Sequence, residues 1–353
     1  MGEAVTRRIQ AEIVAADGGA VAGALTYEAY VHQKYGPTLA GMFFTEYPKK
    51  VWGIPTSEML AEWAPKRLEI REEIGPFYSG QYAAVGASGT GAIFETLASK
   101  VIAAGGSVRL AERVLGLSVE NNQITKIRTT EESIAVRSGD CVISTLPLSV
   151  LGRFLGVSAQ LDFRGITTAT IAIRGGSLLP KEYHWLYFGS PRVRFNRVTA
   201  SSKMAPLVAP KSESLASIEF CYSAGDSFSE LSDSDIWSIV EADLEVAGLS
   251  KDKLISPIHI GREPYVYPVK SLQYQKKLVR LVSTVERIAG LFSIGAGGEF
   301  DYADNQIIFR KAKDLVDDLL LEETSNLIKP WCSDTEKPEE NSTRSKVFPE
   351  VWL

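Results

Sequence analysis

Cysteine and histidine are scarce. The 353 residues hold three cysteines, Cys141, Cys221 and Cys332, and three histidines, His32, His184 and His259. The cysteines are too widely spaced for a disulfide framework or a CxxC metal site, so a reducing, cytoplasmic compartment is expected. The histidines do not cluster, and no metal site is expected. No apolar run approaches the roughly 20 residues that span a bilayer, and the early arginines precede no apolar signal segment. No basic excess marks a nucleic-acid binder, because the formal net charge is -5. No internal repeat is visible. Also missing is a strand–GxGxxG–helix unit, the usual cradle for a dinucleotide pyrophosphate. What remains is an ordinary globular composition, 45% hydrophobic and 23% charged, in a chain long enough for a large two-part core.

The stretch from Gly290 to Leu320 carries the densest pattern. A short apolar run, Leu291 to Ile294, leads into the glycine turn Gly295-Ala296-Gly297-Gly298. After Phe300 and Tyr302, the residues Ile308, Ala312, Leu315, Val316 and Leu319 recur at helical spacing. This reads as strand, glycine turn, helix. Such a turn lets a backbone approach a ligand closely, and a helix start offers unpaired N–H groups. An ordinary strand-to-helix connection would have the same pattern.

Taken in order, the chain opens with helical sequence to about Tyr35, where Ile9, Ile13 and Val14 share a face, and breaks at Tyr35-Gly36-Pro37. An aromatic helix ending at Pro48, a turn at Gly53-Ile54-Pro55 and a short helix capped by Thr56 or Ser57 follow. Gly86, Gly89 and Gly91 precede a helical run to Ala104, but GxxGxG is a weak phosphate signal. Ser107–Leu110, Arg113–Leu117, Ile124–Ile127 and Ile134–Val136 read as strands. The continuous apolar run from Asp140 to Pro147 reads as a strand buried on both faces of a parallel sheet. From Leu161 to Pro268, alternating strands around Thr168–Ile173, Trp185–Phe188 and Ser217–Phe220 suggest an antiparallel sheet with one exposed face. A helix follows, capped by Ser232 or Asp233 and ended by Gly248. Another helix spans Lys270 to Ala289, and the tail from Thr324 is polar and aperiodic.

The Gly290–Leu320 stretch resembles the C-terminal FAD-binding segment of the flavin amine oxidase superfamily, which includes protoporphyrinogen oxidases and UDP-galactopyranose mutases. Gly290, Gly295, Gly298, Phe300 and Tyr302 carry the match. The family's usual arginine after the first turn glycine is Ala296 here. The acidic residue expected three or four positions past the tyrosine is replaced by Asp304, two past it, with Asn305 and Gln306 following. The block from Gly105 to Leu151 resembles the family's adenine-side strands. It implies that the Val114 backbone holds the adenine and that Thr145 and Pro147 lie beside the FAD. Lys34-Tyr35-Gly36, Tyr47-Pro48, Lys50-Val51-Trp52-Gly53, Trp63 and Arg67 are similar to a bacterial branch of the superfamily.

The resemblance implies a mixed α/β (α+β) fold. An incomplete Rossmann-like FAD-binding domain would carry an inserted substrate domain of antiparallel sheet plus helices. The expected divisions are a helical part of the substrate domain at 1–80 and an FAD domain at 81–150 and 285–323. A substrate sheet at 151–284 and a disordered tail at 324–353 complete them. FAD is the implied cofactor, contacted by Val114, Thr145, Pro147, Gly295, Gly297, Gly298, Phe300 and Tyr302. A helix start near Tyr302 to Gln306 would favour anionic reduced flavin. Trp52, Arg197, Glu219, Arg262, Tyr265 and Tyr267 are candidates for the wall facing a small-molecule substrate, with surface or hairpin roles as the plain alternative. No catalytic residue is assigned. By analogy, roughly a hundred residues of the N-terminal FAD half, including its glycine fingerprint, are expected to be absent or supplied by a partner chain. Three functions stay open: an amine-oxidase-type FAD oxidoreductase, a mutase-like flavin isomerase using Arg194, Arg197 and Arg262, and a non-catalytic chain that binds no flavin.

Overall fold

The computed structural model describes residues 2–16, 24–66, 88–205, 207–250, 252 and 254–325. Expectations for Arg67, Gly86 and the tail beyond Ser325 lie outside the described residues, and Thr324 and Ser325, placed in the tail, end the last helix. The described chain divides into two compact units. One holds residues up to Val108 together with Arg164–Pro264, and the other holds Arg109–Phe163 and the residues from Tyr265. The helical N-terminal part and most of the inserted sheet thus share one unit, with borders displaced from the expected 80/81, 150/151 and 284/285.

The first unit starts with helices α1 (Glu3–Ala15), α2 (Tyr27–Phe43) and α3 (Glu46–Trp52). Thr26 caps α2 by accepting the Ala29 N–H at 3.2 Å. The expected break at Gly36 is a kink inside α2, with Gly36 at φ 77°. The helix restarts there because Glu12 of α1 accepts both the Thr38 N–H, at 2.8 Å, and its hydroxyl, at 2.7 Å. Those bonds hold the Glu12 carboxyl below its usual range. Of the face proposed for α1, Ile9 is buried while Val14 is 78% exposed. Pro48 ends no helix. It is the third residue of α3, in the first turn, where a missing N–H is harmless. Thr56 and Ser57 cap nothing; they lie in a turn before a 3₁₀ segment at Ala61–Lys66. Helix α4 (Gly91–Ala103) has no buried residue.

Ser107–Leu110 forms no strand; Leu110 is 85% exposed and nothing among the described residues pairs with it. Strands β1 (Val114–Glu120), β2 (Gln123–Thr129) and β3 (Ser133–Ala135) make an antiparallel sheet. Asn121 and Asn122 form its first turn, both at positive φ. Strand β4 (Val142–Ser144) leads through Pro147 into helix α5 (Leu148–Phe154). The parallel pairing expected of β4 is present, but burial on both faces is not: Ile143 is 42% exposed.

Strand β5 (Phe163–Arg174) heads the large sheet, followed by β6 (Trp185–Tyr187), β7 (Arg197–Thr199), the short helix α6 (Ser201–Met204) and β8 (Glu213–Ser223). Helix α7 (Asp233–Val246) and strand β9 (Leu254–Pro268) complete the region. The strand order is β6-β7-β8-β5-β9. Ser232 caps α7 reciprocally with Asp235, and Gly248 ends it at φ 73°. Ile236, Val240 and Leu244 of α7 are fully buried against Ala169, Ile171, Ile218 and Phe220. Each such side chain contributes about 1.5–3 kcal/mol. The sheet's other face is less open than expected. Along β5 only Thr168 and Thr170 are half-exposed before Arg174; α3 packs on that side, with Arg164 bonded to its Lys50 and Val51 carbonyls and Tyr47 edge-on to Tyr187.

In the second unit, helix α8 (Tyr274–Val285) leads to strand β10 (Leu291–Ser293), the single helical turn α9 (Gly295–Gly298) and helix α10 (Asn305–Ser325). Leu315 is the buried anchor of α10, whereas Val316, expected on the same face, is 45% exposed.

Candidate functional site

The two strands that frame the cofactor candidates run parallel. Leu291, Phe292 and Ser293 of β10 pair with Val142, Ile143 and Ser144 of β4, and the Ile294 N–H continues the ladder to the Ser144 carbonyl at 3.0 Å. Both chains therefore leave the sheet at the same end, the carboxyl end where open α/β sheets bind ligands. This brings Thr145, Leu146 and Pro147 against Gly295–Gly298.

The three turn glycines differ in role. Gly295 lies at φ +88°, and a Cβ placed on it would meet nothing within 4 Å. Its glycine requirement is conformational, and the space beside it is open. A Cβ on Gly297 would come 3.4 Å from Pro147 Cα, and one on Gly298 would come 2.9 Å from Ser293 Oγ and 3.3 Å from the Ser144 carbonyl. Those two glycines let the turn pack onto the end of β4. The Gly295 N–H donates to Glu299 Oε2 at 2.9 Å, and Lys311 Nζ donates to Glu299 Oε1 at 2.8 Å.

The Phe300 side chain packs inward. Its ring is 1% exposed, edge-on to Phe163 at 5.1 Å and tilted against Tyr274 at 5.5 Å. It packs the core while its backbone, at φ 53°, redirects the chain toward Tyr302. Tyr302 meets Tyr267 edge-on at 5.3 Å, and Tyr265 meets Phe163 edge-on at 5.5 Å. The two tyrosines chosen for a substrate wall stand in the second unit. Val114 opens β1 opposite Thr129, where the register shifts before Gly116.

In the first unit, cross-strand register aligns Tyr187, Arg197, Glu219 and Thr168 in one row. Trp185, Thr199, Ser217 and Thr170 form the next. Period-two alternation sends these side chains to the face opposite the core. Arg197 donates through Nε at 2.9 Å and Nη2 at 2.5 Å, both to Glu219 Oε1. Its guanidinium lies 6.0 Å from the Tyr187 ring, and Tyr47 of α3 meets Tyr187 edge-on at 5.4 Å.

Sequence reasoning missed the residues that fasten α3 to this sheet. Arg164, near the start of β5, donates to the Val51 carbonyl at 2.8 Å, the Lys50 carbonyl at 3.2 Å and Ser223 Oγ. A Cβ on Gly53 would come 2.6 Å from its Nη1. Lys50 Nζ donates to the carbonyls of Phe188, at 2.9 Å, and Ser190, at 3.0 Å. Burial pushes the Lys50 amine down to about 8, only partly offset by Asp243 and Cys221. The one available signal was an arginine inside an apolar strand sequence, Phe163-Arg164-Gly165-Ile166.

Two other candidates serve packing. Arg262 pairs with Asp233 Oδ1 at 2.7 Å and donates to the Leu231 carbonyl at 2.9 Å, which fixes the start of α7. Trp52 packs against the cluster around Tyr27, Tyr30 and Tyr35. Among the described residues no group of His, Cys, Asp or Glu could hold a metal ion, and no helix is long and apolar enough to cross a membrane.

Comparison with known proteins agrees with this layout. In solved structures, the fold is similar to a reduced UDP-galactopyranose mutase at TM-score 0.74 and 17% identity, over 91% of this chain and 73% of that one. It is also similar to a putative protoporphyrinogen oxidase from Exiguobacterium sp. 255-15, at TM-score 0.67 and 15% identity over the same shares. A double mutant of putrescine oxidase gives TM-score 0.56 and 12% identity, over 91% and 76%. At these identities the likeness concerns the fold. The sequence pattern of flavin containing amine oxidoreductases matches residues 37–262, well over half the chain, so this protein belongs to that family of flavin-dependent oxidoreductases.

Proposed function

We propose that the chain is an FAD-dependent oxidoreductase of the flavin amine oxidase type acting on a small molecule. In this reading its FAD is held by the second unit, and the Tyr187–Arg197–Glu219–Thr168 row of the first unit takes part in binding substrate. The observation that carries the reading is the parallel β4–β10 pair, which sets Thr145–Pro147 beside Gly295–Gly298. A flavin fits these residues. Its planar ring needs a backbone that it can approach closely, and Gly295 combines a positive φ with open space where a Cβ would stand. Thr145, exposed beyond β4, supplies a hydroxyl at the same end, and Tyr302 an aromatic flank. For the adenine, the irregular start of β1 at Val114 offers backbone groups at a register shift. When bound, the flavin supplies a two-electron acceptor, and the protein supplies orientation and electrostatics.

Mutase-type isomerisation of a nucleotide sugar would need guanidinium groups to hold a diphosphate. Of the three arginines considered, Arg197 is ion-paired with Glu219 and Arg262 with Asp233, and Arg194 is exposed; the fold likeness to a mutase fits this alternative without selecting it. The sequence contains no GxGxxG turn, so pyrophosphate binding is the weakest part of the proposed cofactor site, and FAD retention by the chain alone is expected to be poor.

The test is an equilibrium titration with FAD, following quenching of flavin fluorescence, with a gel-filtration run beside it. Saturable binding that is lost on gel filtration is expected. Absence of any binding would overturn the reading in favour of a chain that carries the fold without the cofactor.

A further inference from the structure

We propose that the Glu299–Lys311 pair tunes the potential of a bound flavin, the carboxylate lowering it and the ammonium raising it. The inference rests on the FAD reading above. The Gly295 N–H is occupied by Glu299 Oε2 at 2.9 Å. The other carboxylate oxygen accepts Lys311 Nζ at 2.8 Å, and the Glu299 side chain is only 15% exposed.

The surrounding charges are balanced. Lys311 also lies 3.9 Å from Asp301 Oδ2, and Lys270 Nζ lies 3.5 Å from Asp301 Oδ1. Two carboxylates and two ammonium groups thus surround one turn, and Glu299 is the member bonded to the turn itself. The Asp301 N–H is bonded in turn to the Ala296 carbonyl at 3.0 Å, so the acids are tied to the turn by backbone as well as by side chain. Ala296 stands where the family's arginine is expected, which leaves the turn with one fewer positive charge of its own.

Reducing a flavin adds two electrons and either one or two protons. With one proton the product is an anion; with two it is neutral. A fixed carboxylate at the turn disfavours the anion and lowers the potential, whereas a fixed cation favours it. The carboxylate thus opposes the anion-favouring effect expected of the helix start near Tyr302 to Gln306. Lys311, ion-paired with Glu299, carries the opposing charge.

The test measures the midpoint potential of FAD bound to the full chain, with protein in excess, by dithionite titration against a reference dye. Glu299→Gln removes the negative charge and should raise the potential. Lys311→Met removes the positive charge and should lower it. Shifts of opposite sign are expected, with FAD still bound in both variants and circular dichroism unchanged. A merely structural role would move both variants the same way, so parallel shifts, or no shift in either, overturn the inference while leaving the FAD reading intact. Wild-type chain that binds no FAD would overturn both. If Glu299→Gln unfolds, Glu299→Asp decides: a carboxylate kept near the turn should leave the potential close to wild type, and a rise there would count against the proposal.

Discussion

Arg197 places two of its nitrogens on a single oxygen of Glu219, and among the described residues the other oxygen, Oε2, is buried without a hydrogen-bond partner. The two members differ in solvent access, with side chains 32% and 10% exposed. Removing the outer member therefore strands a buried charge, while removing the inner one leaves a cation that water can still reach. Arg197→Met should cost about 3 kcal/mol, and Glu219→Gln clearly less. Urea unfolding measures both, and the reverse order would mean that the carboxylate is better hydrated than its burial indicates.

The Lys50 latch gives a pH signature. Its amine is held down to about 8 from 10.5 by burial. Below about 8 the folded chain must keep a charge in a site that disfavours it. Between about 8 and 10.5 the unfolded chain binds more protons than the folded one, so stability contributed at this site rises with pH across that window. Lys50→Met removes the titrating group. The difference in unfolding free energy between wild type and variant, measured by urea melts, should therefore grow in favour of wild type as pH rises from 8 to 10. A flat difference would show that the amine titrates as it does in water.

How much of this was legible in the sequence depends on whether the signal was local. The capping box at Ser232, the terminating Gly248 and the β1–β2–β3 hairpins were readable because turn and cap chemistry is written in adjacent residues. The wrong assignments share a cause. Pro48 was placed at a helix end because proline breaks helices, but it sits in a first turn where its missing N–H is harmless. Ser107–Leu110 has strand composition but no strand partner among the described residues. Phe300 matched a cofactor motif, yet its ring fills the core beside Phe163 and Tyr274. Arg164 and Lys50 could not be found, because the carbonyls that they bind are between 113 and 140 residues away in sequence.

The glycine turn separates conformational from packing demands. Gly298→Ala puts a methyl group 2.9 Å from Ser293 Oγ and 3.3 Å from the Ser144 carbonyl. It should lower the melting temperature with or without FAD. Gly295→Ala meets no atom, and its cost is the positive φ, about 1–2 kcal/mol. Gly295→Val carries the same positive-φ strain, larger for a β-branched residue, and places its bulk in the open space, so it should abolish the quenching of added FAD while the far-ultraviolet circular dichroism stays near wild type. Global unfolding of Gly295→Val would make the turn purely structural.

Helix α4 exposes Ile93 at 36%, Phe94 at 50%, Leu97 at 41% and Ile102 at 56%. A run of this kind on a helix without buried residues promotes association. Ile93→Glu with Leu97→Glu should cost little stability, within about 0.5 kcal/mol per site for exposed positions, and should shift light scattering of the purified chain toward monomer. A loss of several kcal/mol would show that this face is packed in solution.

The final prediction separates cofactor loss from unfolding on the adenine side. Val114 is the first residue of β1, a position where proline is tolerated because the ladder has barely begun. Proline there removes one backbone N–H and leaves the strand's later pairs, Leu117 with Ile127 and Ser118 with Lys126, in place. Val114→Pro should therefore keep the hairpin while weakening FAD binding about tenfold, the effect of losing one hydrogen bond of about 1.4 kcal/mol. Leu117→Pro is the contrasting variant. It interrupts the middle of the ladder opposite Ile127 and should unfold the hairpin, with loss of amide exchange protection from Gly116 to Arg128. If Val114→Pro binds FAD as wild type does while Leu117→Pro unfolds, the backbone at Val114 is not an adenine contact, and the resemblance of this block extends to the fold alone.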